Sequence, residues 1–434
     1  MNSIIVHEYE KINEEEFKSR MGENAICDYR GEFQQLIDFI EEFNATEDSV
    51  DAYDLLSVKQ DRTNGKYVQF KNYVGLIQLK SGFQIDVLPK IDMVSSDDEN
   101  KKVFVKMLRS LKEFEGKSFN ISNLNVDKMN IYELFINMYL QFVSLLCKKG
   151  LKSSYIASED NLNVFKGKII FKEQIKRNLV HKEKFYVSYD EYNLNRPENK
   201  LIKSTLLKLL SLSYDSCNRK LCSQTLTYFE NVDPSINYDS DFSKVKIDRN
   251  TKDYEFLMNW SKVFLKNKSF TTFSGDTVSR ALLFPMEKLF ESYVAKYAKQ
   301  IFDDCYVSAQ DKGYYLFNIP SNQFSLRPDL VITKPDGTII IMDTKWKNLI
   351  NDSRKNYGIS QADMYQMYAY AKKYNTKNIY LLYPLNNEMK DCEEIKFESY
   401  DDNQNLEVNV KIFFVDLVDI EQSLTKLKEE LNKN

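Results

Sequence analysis

The sequence predicts an α+β multidomain chain: a mainly β N-terminal module over residues 1–95, a mostly helical middle region over 96–270, and an α/β core over 271–434. Three observations predict it. Two apolar runs, YVGLIQL and FQIDVLP, flank Lys80-Ser81-Gly82 and read as paired strands. Residues Ile131 to Lys149 carry Leu134, Phe135, Met138, Tyr139, Phe142, Leu145 and Leu146 at helical spacing. Beyond residue 271 the order reads helix, strand, strand, helix, strand, strand, helix, the alternation of an α/β layer.

Composition sets the outer limits. A chain of 434 residues is long enough for two or three cores, and only 12 Gly and 8 Pro leave little room for long disordered linkers. Lys plus Arg number 60 against 64 acidic residues, a net charge of −4, so any nucleic-acid contact needs a local basic groove or a partner that delivers the substrate. Six scattered cysteines form no C-x-x-C pair, which argues against a zinc site, an iron–sulfur cluster or a disulfide framework. Two histidines, His7 and His181, make a histidine-based active site a poor expectation. The opening MNSIIVHEYEK lacks a basic region followed by an apolar core, and no apolar run reaches membrane-spanning length, so the expected location is the cytoplasm.

In chain order, Ser3 to Tyr9 reads as a strand and Glu32 to Phe43 as an amphipathic helix through Phe33, Leu36, Ile37 and Ile40. The acidic stretch Asp92 to Asn100 is the first linker candidate, and Val103 to Phe114 the first helix of the middle region. Gly116-Lys117-Ser118 has the last three letters of a phosphate-binding loop, but Leu111 stands where its first glycine belongs. Nucleotide binding by this chain is therefore not expected. Lys166, Lys168, Lys172, Lys176, Arg177, Lys182 and Lys184 make the most basic stretch, either a solvated face or a sequence-independent contact to phosphates. Ser204 to Leu212 and Phe256 to Phe264 complete the helical pattern.

The C-terminal part carries the chemistry. Leu282 to Phe302 reads as a helix with Pro285 in its first turn, an apolar stripe from Met286 to Ile301, and Glu287 and Glu291 at the stripe's edge. Arg327 to Lys345, RPDLVITKPDGTIIIMDTK, reads as two strands about a Pro335-Asp336-Gly337 turn. The hairpin places Asp329 near Asp343, with Lys345 on the same face as Asp343. Two carboxylates suit a hard divalent cation that keeps several waters, and an adjacent lysine can orient a water or stabilise phosphate charge. The competing explanation is a surface hairpin with solvated charges. In the next segment, Gly358 to Tyr374, the apolar stripe is Met364, Met367, Tyr368 and Ala371, with Asp363, Gln366, Tyr370 and Lys373 opposite. Asn378 to Tyr383 and Val408 to Leu417 read as buried strands, and Ile420 to Leu431 as a terminal helix.

The PD strand, the D-T-K strand and the following Q-x-x-x-Y of Gln366 and Tyr370 resemble the PD-(D/E)XK nuclease superfamily, and its RecB-like branch in particular. VGLIQLKSGFQIDVLPKI, the run through Gln174-Ile175-Lys176-Arg177-Asn178 to ENKLIKSTL, and FPMEKLFE are similar to sequences of the McrC family. That resemblance implies a Mg2+-dependent DNA endonuclease subunit, with Mn2+ as a possible substitute, of a modification-dependent restriction system. It implies Asp329, Asp343 and the Thr344 carbonyl as metal ligands, Lys345 as the group beside the attacking water, and Gln366 and Tyr370 as site-shaping residues. A glutamate from the first core helix joins the metal in many relatives; Glu291 fits that pattern better than Glu287. The implied partners are DNA and a hexameric AAA+ GTPase that reads the modified base, with the N-terminal module engaging the ring inside a larger complex. The alternatives are a stand-alone RecB-like repair nuclease and a non-catalytic DNA-binding adaptor of a motor.

Overall fold

The computed structural model describes residues 3–21, 28–45, 56–61, 65–111, 131–266, 280–400 and 405–433. It is a mixed α/β protein with several sheets. The chain divides into two compact units: Met1–Lys117 together with Leu282–Asn434, and Ser118–Ala281. Gly116-Lys117-Ser118 lies outside the described residues. No described helix is long and apolar enough to cross a membrane.

In the first unit a six-stranded mixed sheet runs in the order Tyr306–Ala309, Leu330–Thr333, Ile339–Thr344, Asn378–Pro384, Leu406–Val415, Lys396–Tyr400. The hairpin foreseen around Gly337 is present, with Leu330 opposite Met342 and Thr333 opposite Ile339. Its turn closes as the residue types dictate. Gly337 takes φ +85°, Gly337 N donates to Lys334 O at 2.9 Å, and Asp336 Oδ1 accepts from Thr338 N at 2.8 Å. The strand Ile339–Thr344 then pairs in parallel with Asn378–Pro384, Thr344 opposite Leu382. Parallel pairing in a sheet centre buries both faces, which is why IIIMDT is apolar until its last two residues.

The helix Gln361–Tyr374 crosses between those two strands. Ser360 caps its start by accepting from Asp363 N at 3.1 Å, and Asn375 ends it in the left-handed conformation at φ +51°. Its buried residues are Met367, Tyr370, Ala371 and Tyr374, which pack with Ile341, Ile379, Leu381 and Tyr383. The expected stripe is thus corrected at two positions. Tyr370 faces the core, while Tyr368 is 41% exposed and its hydroxyl donates to Glu407 Oε2 at 2.8 Å.

A four-stranded sheet in the same unit has the order Ser3–His7, Gln84–Leu88, Tyr73–Gln78, Arg280–Pro285. The helix expected from Leu282 therefore begins later. Arg280–Pro285 is a strand, Pro285 is the N-cap at φ −67° and ψ 128°, and the helix is Met286–Ile301. The partner strand accepts this close approach because residue 75 is glycine. A Cβ there would meet Leu282 O at 1.9 Å. The acidic stretch 92–100 is only partly a connection: Ser96 caps a helix, Asp97–Leu108, whose first turn is acidic as a helix N-terminus favours. Lys11–Asn13, Gly65–Phe70 and Leu56–Asp61 form a further three-stranded sheet.

The second unit packs the helices Ile131–Lys149, Pro197–Leu212, Ser216–Leu226 and Lys252–Lys266 around an aromatic core, with Trp260 5.3 Å from Phe135 and 5.6 Å from Phe264. Leu146 is buried there, whereas Leu145 is 40% exposed. A three-stranded sheet of Ser154–Leu162, Phe185–Asn193 and Lys168–Ile169 stands with the short helix Phe171–Asn178 in the same unit. That segment carries the basic residues; Lys166 pairs with Glu191 at 3.6 Å and Arg177 with Glu173 at 2.9 Å.

Candidate active site

Asp329 precedes the first hairpin strand, so the pairing of Leu330 with Met342 sets it across from Asp343. Asp329 Oδ2 accepts two bonds from one residue, Thr344 N at 2.7 Å and Thr344 Oγ1 at 2.6 Å. Asp343 is 2% exposed, and among the described residues no donor is aligned on its Oδ2. Its counter-charge is the Lys345 ammonium, 2.7 Å away. Alternation along the strand turns Asp343 and Lys345 to one face, so the pair follows directly from D-x-K.

The helix Gln361–Tyr374 supplies the rest. Lys345 Nζ donates to Gln366 Oε1 at 3.1 Å, and Gln366 Nε2 donates to the Tyr370 hydroxyl at 2.6 Å. The expected residues Asp343, Lys345, Gln366 and Tyr370 are therefore one chain of contacts, tied to Asp329 through Thr344. Asp363 lies on the same helix, 3.6 Å from Lys345 Nζ. The sequence sets it on the face of Gln366 and Tyr370 by i, i+3, i+7 spacing, and the structure adds its contact with Lys345.

Burial raises the Asp343 carboxyl above the ordinary range, and the Asp329 charge adds to it; the Lys345 ammonium opposes both. Burial raises Asp329 as well, against the two Thr344 bonds. For Lys345, burial works to lower the amine, but the charges of Asp343, Asp363 and Asp329 outweigh it and raise it. Burial and the Asp343 charge raise the Tyr370 hydroxyl. Tyr383, on the adjacent parallel strand, is fully buried, and among the described residues its hydroxyl has no hydrogen-bond partner. Burial raises it, with the Asp363 and Asp343 charges adding.

Three carboxylates, Asp329, Asp343 and Asp363, thus face one ammonium. That excess of negative charge, made of hard oxygen donors with Asp343 buried and the other two partly so, fits a divalent cation of the Mg2+ type. Among the described residues no three His, Cys, Asp or Glu side chains form a cage. A two-carboxylate site completed by water is the form Mg2+ commonly takes. Glu291 reaches the pair through an intermediary: it accepts from Gln310 Nε2 at 2.7 Å, and Gln310 N donates to Asp329 O at 2.9 Å. Glu287 accepts from Asn72 Nδ2, and its charge acts on the buried Glu8.

The chain is similar over 69% of its length to a chain of the Thermococcus gammatolerans McrBC complex, at 18% identity, 88% coverage of that chain and a TM-score of 0.48. It is similar over 99% of its length to a chain of the refined half-complex from a tetradecameric assembly of Thermococcus gammatolerans McrB AAA+ hexamers with bound McrC. There the identity is 17%, the coverage of that chain 100% and the TM-score 0.69, so the fold is shared. No curated protein sequence matches. The family described as McrBC 5-methylcytosine restriction system component matches residues 68–384, well over half of the chain and all of the segment from Asp329 to Tyr370. The chain belongs to that family.

Proposed function

We propose that this chain is the Mg2+-dependent DNA endonuclease subunit of an McrBC-type restriction system, with Mn2+ able to substitute, and that residues 271–434 form a PD-(D/E)XK nuclease core. The observation that carries the reading is the pair of the partly buried Asp329 and the buried Asp343, with Lys345 held between Asp343 and Gln366. Asp329, Asp343 and the Thr344 carbonyl would hold the cation. When bound, it would polarise a phosphoryl oxygen and make a coordinated water more acidic. Thr344 fixes the rotamer of Asp329, so that carboxylate pays little entropy to present its free oxygen. Lys345, an ammonium at neutral pH, holds a water in line and offsets charge on the phosphate. Gln366 orients the Lys345 amine, and Tyr370 orients Gln366.

The working assembly is proposed to be a cytoplasmic complex with DNA and an AAA+ GTPase hexamer. The shared fold with a chain of an McrB–McrC assembly supports that partner. Residues 1–95 would engage the ring and stimulate GTP hydrolysis, and the ring would read the modified base. Replacing Asp343 with Ala in the purified chain tests the nuclease assignment. Cleavage retained by folded Asp343→Ala protein would contradict it.

A further inference from the structure

The residue directly after Lys345 is Trp346, 8% exposed, and its indole is held from the other end of the chain. Glu8 lies just past the strand Ser3–His7, where its backbone N–H donates to Leu88 O at 3.0 Å. The Glu8 carboxylate is 2% exposed. Its Oε1 accepts from Lys90 N at 2.8 Å and from Trp346 Nε1 at 3.1 Å, and its Oε2 lies 2.9 Å from the same indole nitrogen. The Trp346 ring meets Phe290 edge-on, with centroids 5.6 Å apart. Asp92, in the same N-terminal segment, adds two more ties. Its carbonyl accepts from Asn387 Nδ2 at 2.9 Å and its carboxylate from Asn348 Nδ2 at 3.4 Å. These reach the segments that follow both central strands beside the site.

We propose that Glu8 is a positioning residue: through Trp346 it fixes the backbone at the end of the D-T-K strand and thereby the place of Lys345. A carboxylate taken out of water is costly, and this one meets two neutral donors and a second acid, Glu287. Packing alone does not call for a charge here. What the carboxyl group supplies is a directional acceptor for an indole that has only two side-chain torsions to lock. With Glu8 at one edge and Phe290 at the other, residue 346 has one place to be. Lys345, one peptide away and bonded by its own N–H to Leu382 O at 2.9 Å, is fixed from both sides. Its Nζ then sits between Asp343 and Gln366 without adjustment. The catalytic consequence rests on the nuclease reading; the anchoring does not.

The test uses the full chain with two readouts, hydrogen exchange over residues 343–349 and steady-state DNA cleavage with Mg2+ and the GTPase partner. Glu8→Ala and Trp346→Phe are each expected to speed exchange there and to lower kcat roughly 10–100-fold, as loss of supporting hydrogen bonds around a metal site commonly does, with KM little changed. The double variant should be no worse than the poorer single, because both cut one link. Glu8→Gln, which keeps Oε1 for Lys90 and Trp346, should retain most of kcat. Trp346→Phe keeps a ring against Phe290 and so tests the link even where Glu8→Ala does not fold. Unchanged exchange in folded Trp346→Phe would overturn the anchoring, and unchanged kcat beside an active wild type would overturn the positioning role. A wild type that never cuts would overturn the nuclease reading instead, while faster exchange in the variants would still uphold the anchoring.

Discussion

Asp343 and Lys345 stand two residues apart on one strand, and Nζ of the lysine lies 2.7 Å from Oδ2 of the aspartate. The contact is half-buried on the lysine and almost fully buried on the aspartate. One ammonium is thereby shared among Asp343, Asp363 and the Asp329 charge. Folding has left the carboxylates in excess, so the site is built at a cost to stability that the proposed divalent cation would offset.

The first prediction follows from that cost. Asp343→Asn keeps the shape and removes a buried charge whose carboxyl the fold holds above its ordinary range. Without divalent cation, at neutral pH, the variant should melt at a higher temperature than wild type. Cleavage should fall at least about a thousandfold, a loss of about 4 kcal/mol in transition-state stabilisation. Thermal melts in EDTA and a plasmid assay in Mg2+ check the two halves separately.

The relay from Lys345 to Tyr370 predicts an order of effects. Tyr370→Phe loses the bond from Gln366 Nε2 to the hydroxyl, together with the backbone bond at Arg327, and should cost about 1 kcal/mol of stability and a modest part of kcat. Gln366→Leu removes the acceptor of Lys345 and the donor to Tyr370 together. It should reduce kcat more than Tyr370→Phe does. Equal effects in a side-by-side kcat comparison would contradict the relay.

Tyr383 gives a prediction of opposite sign. Its hydroxyl is buried, and among the described residues it has no partner. Tyr383→Phe should therefore raise stability by about 1 kcal/mol or more, the desolvation cost of an unpaired hydroxyl. Urea denaturation at fixed pH reads this directly.

Glu8 sets a pH dependence. Burial pushes its carboxyl up to about 7, against bonds from Lys90 and Trp346 that act to lower it, with the Glu287 charge adding to the rise. Below the ordinary carboxyl range both folded and unfolded chains carry the proton. From there to pH 7 the unfolded chain releases it while the folded chain keeps it, so stability falls with rising pH and levels off above 7. The loss is on the order of 3 kcal/mol. Glu8→Gln should flatten this part of the curve and match or exceed wild-type stability at pH 8, measured by denaturant titration across pH 4–8.

Much of this was legible in the sequence because it is local. The turn at Gly337, the D-x-K alternation and the one-turn spacing of Gln366 and Tyr370 depend on near neighbours, and the structure brings Asp329, Asp343, Lys345, Gln366 and Tyr370 together. Helix phase was harder. Met364, Met367 and Ala371 fit a stripe that takes in either Tyr368 or Tyr370, and only the sheet beneath decides that Tyr370 is covered. Leu282 to Pro285 continue the apolar helix pattern, yet tertiary pairing with Tyr73–Gln78 makes them strand. Glu8 and Trp346 are 338 residues apart, and no local pattern links them.

The most direct test of the central claim is cleavage of methylated and unmethylated plasmid with Mg2+, with and without the AAA+ GTPase partner and GTP, using wild type and Asp343→Ala in parallel. The account predicts cutting of the methylated plasmid by wild type in the complete mixture alone, and none by Asp343→Ala. Cutting by wild type without the motor, or by Asp343→Ala in the complete mixture, would contradict it.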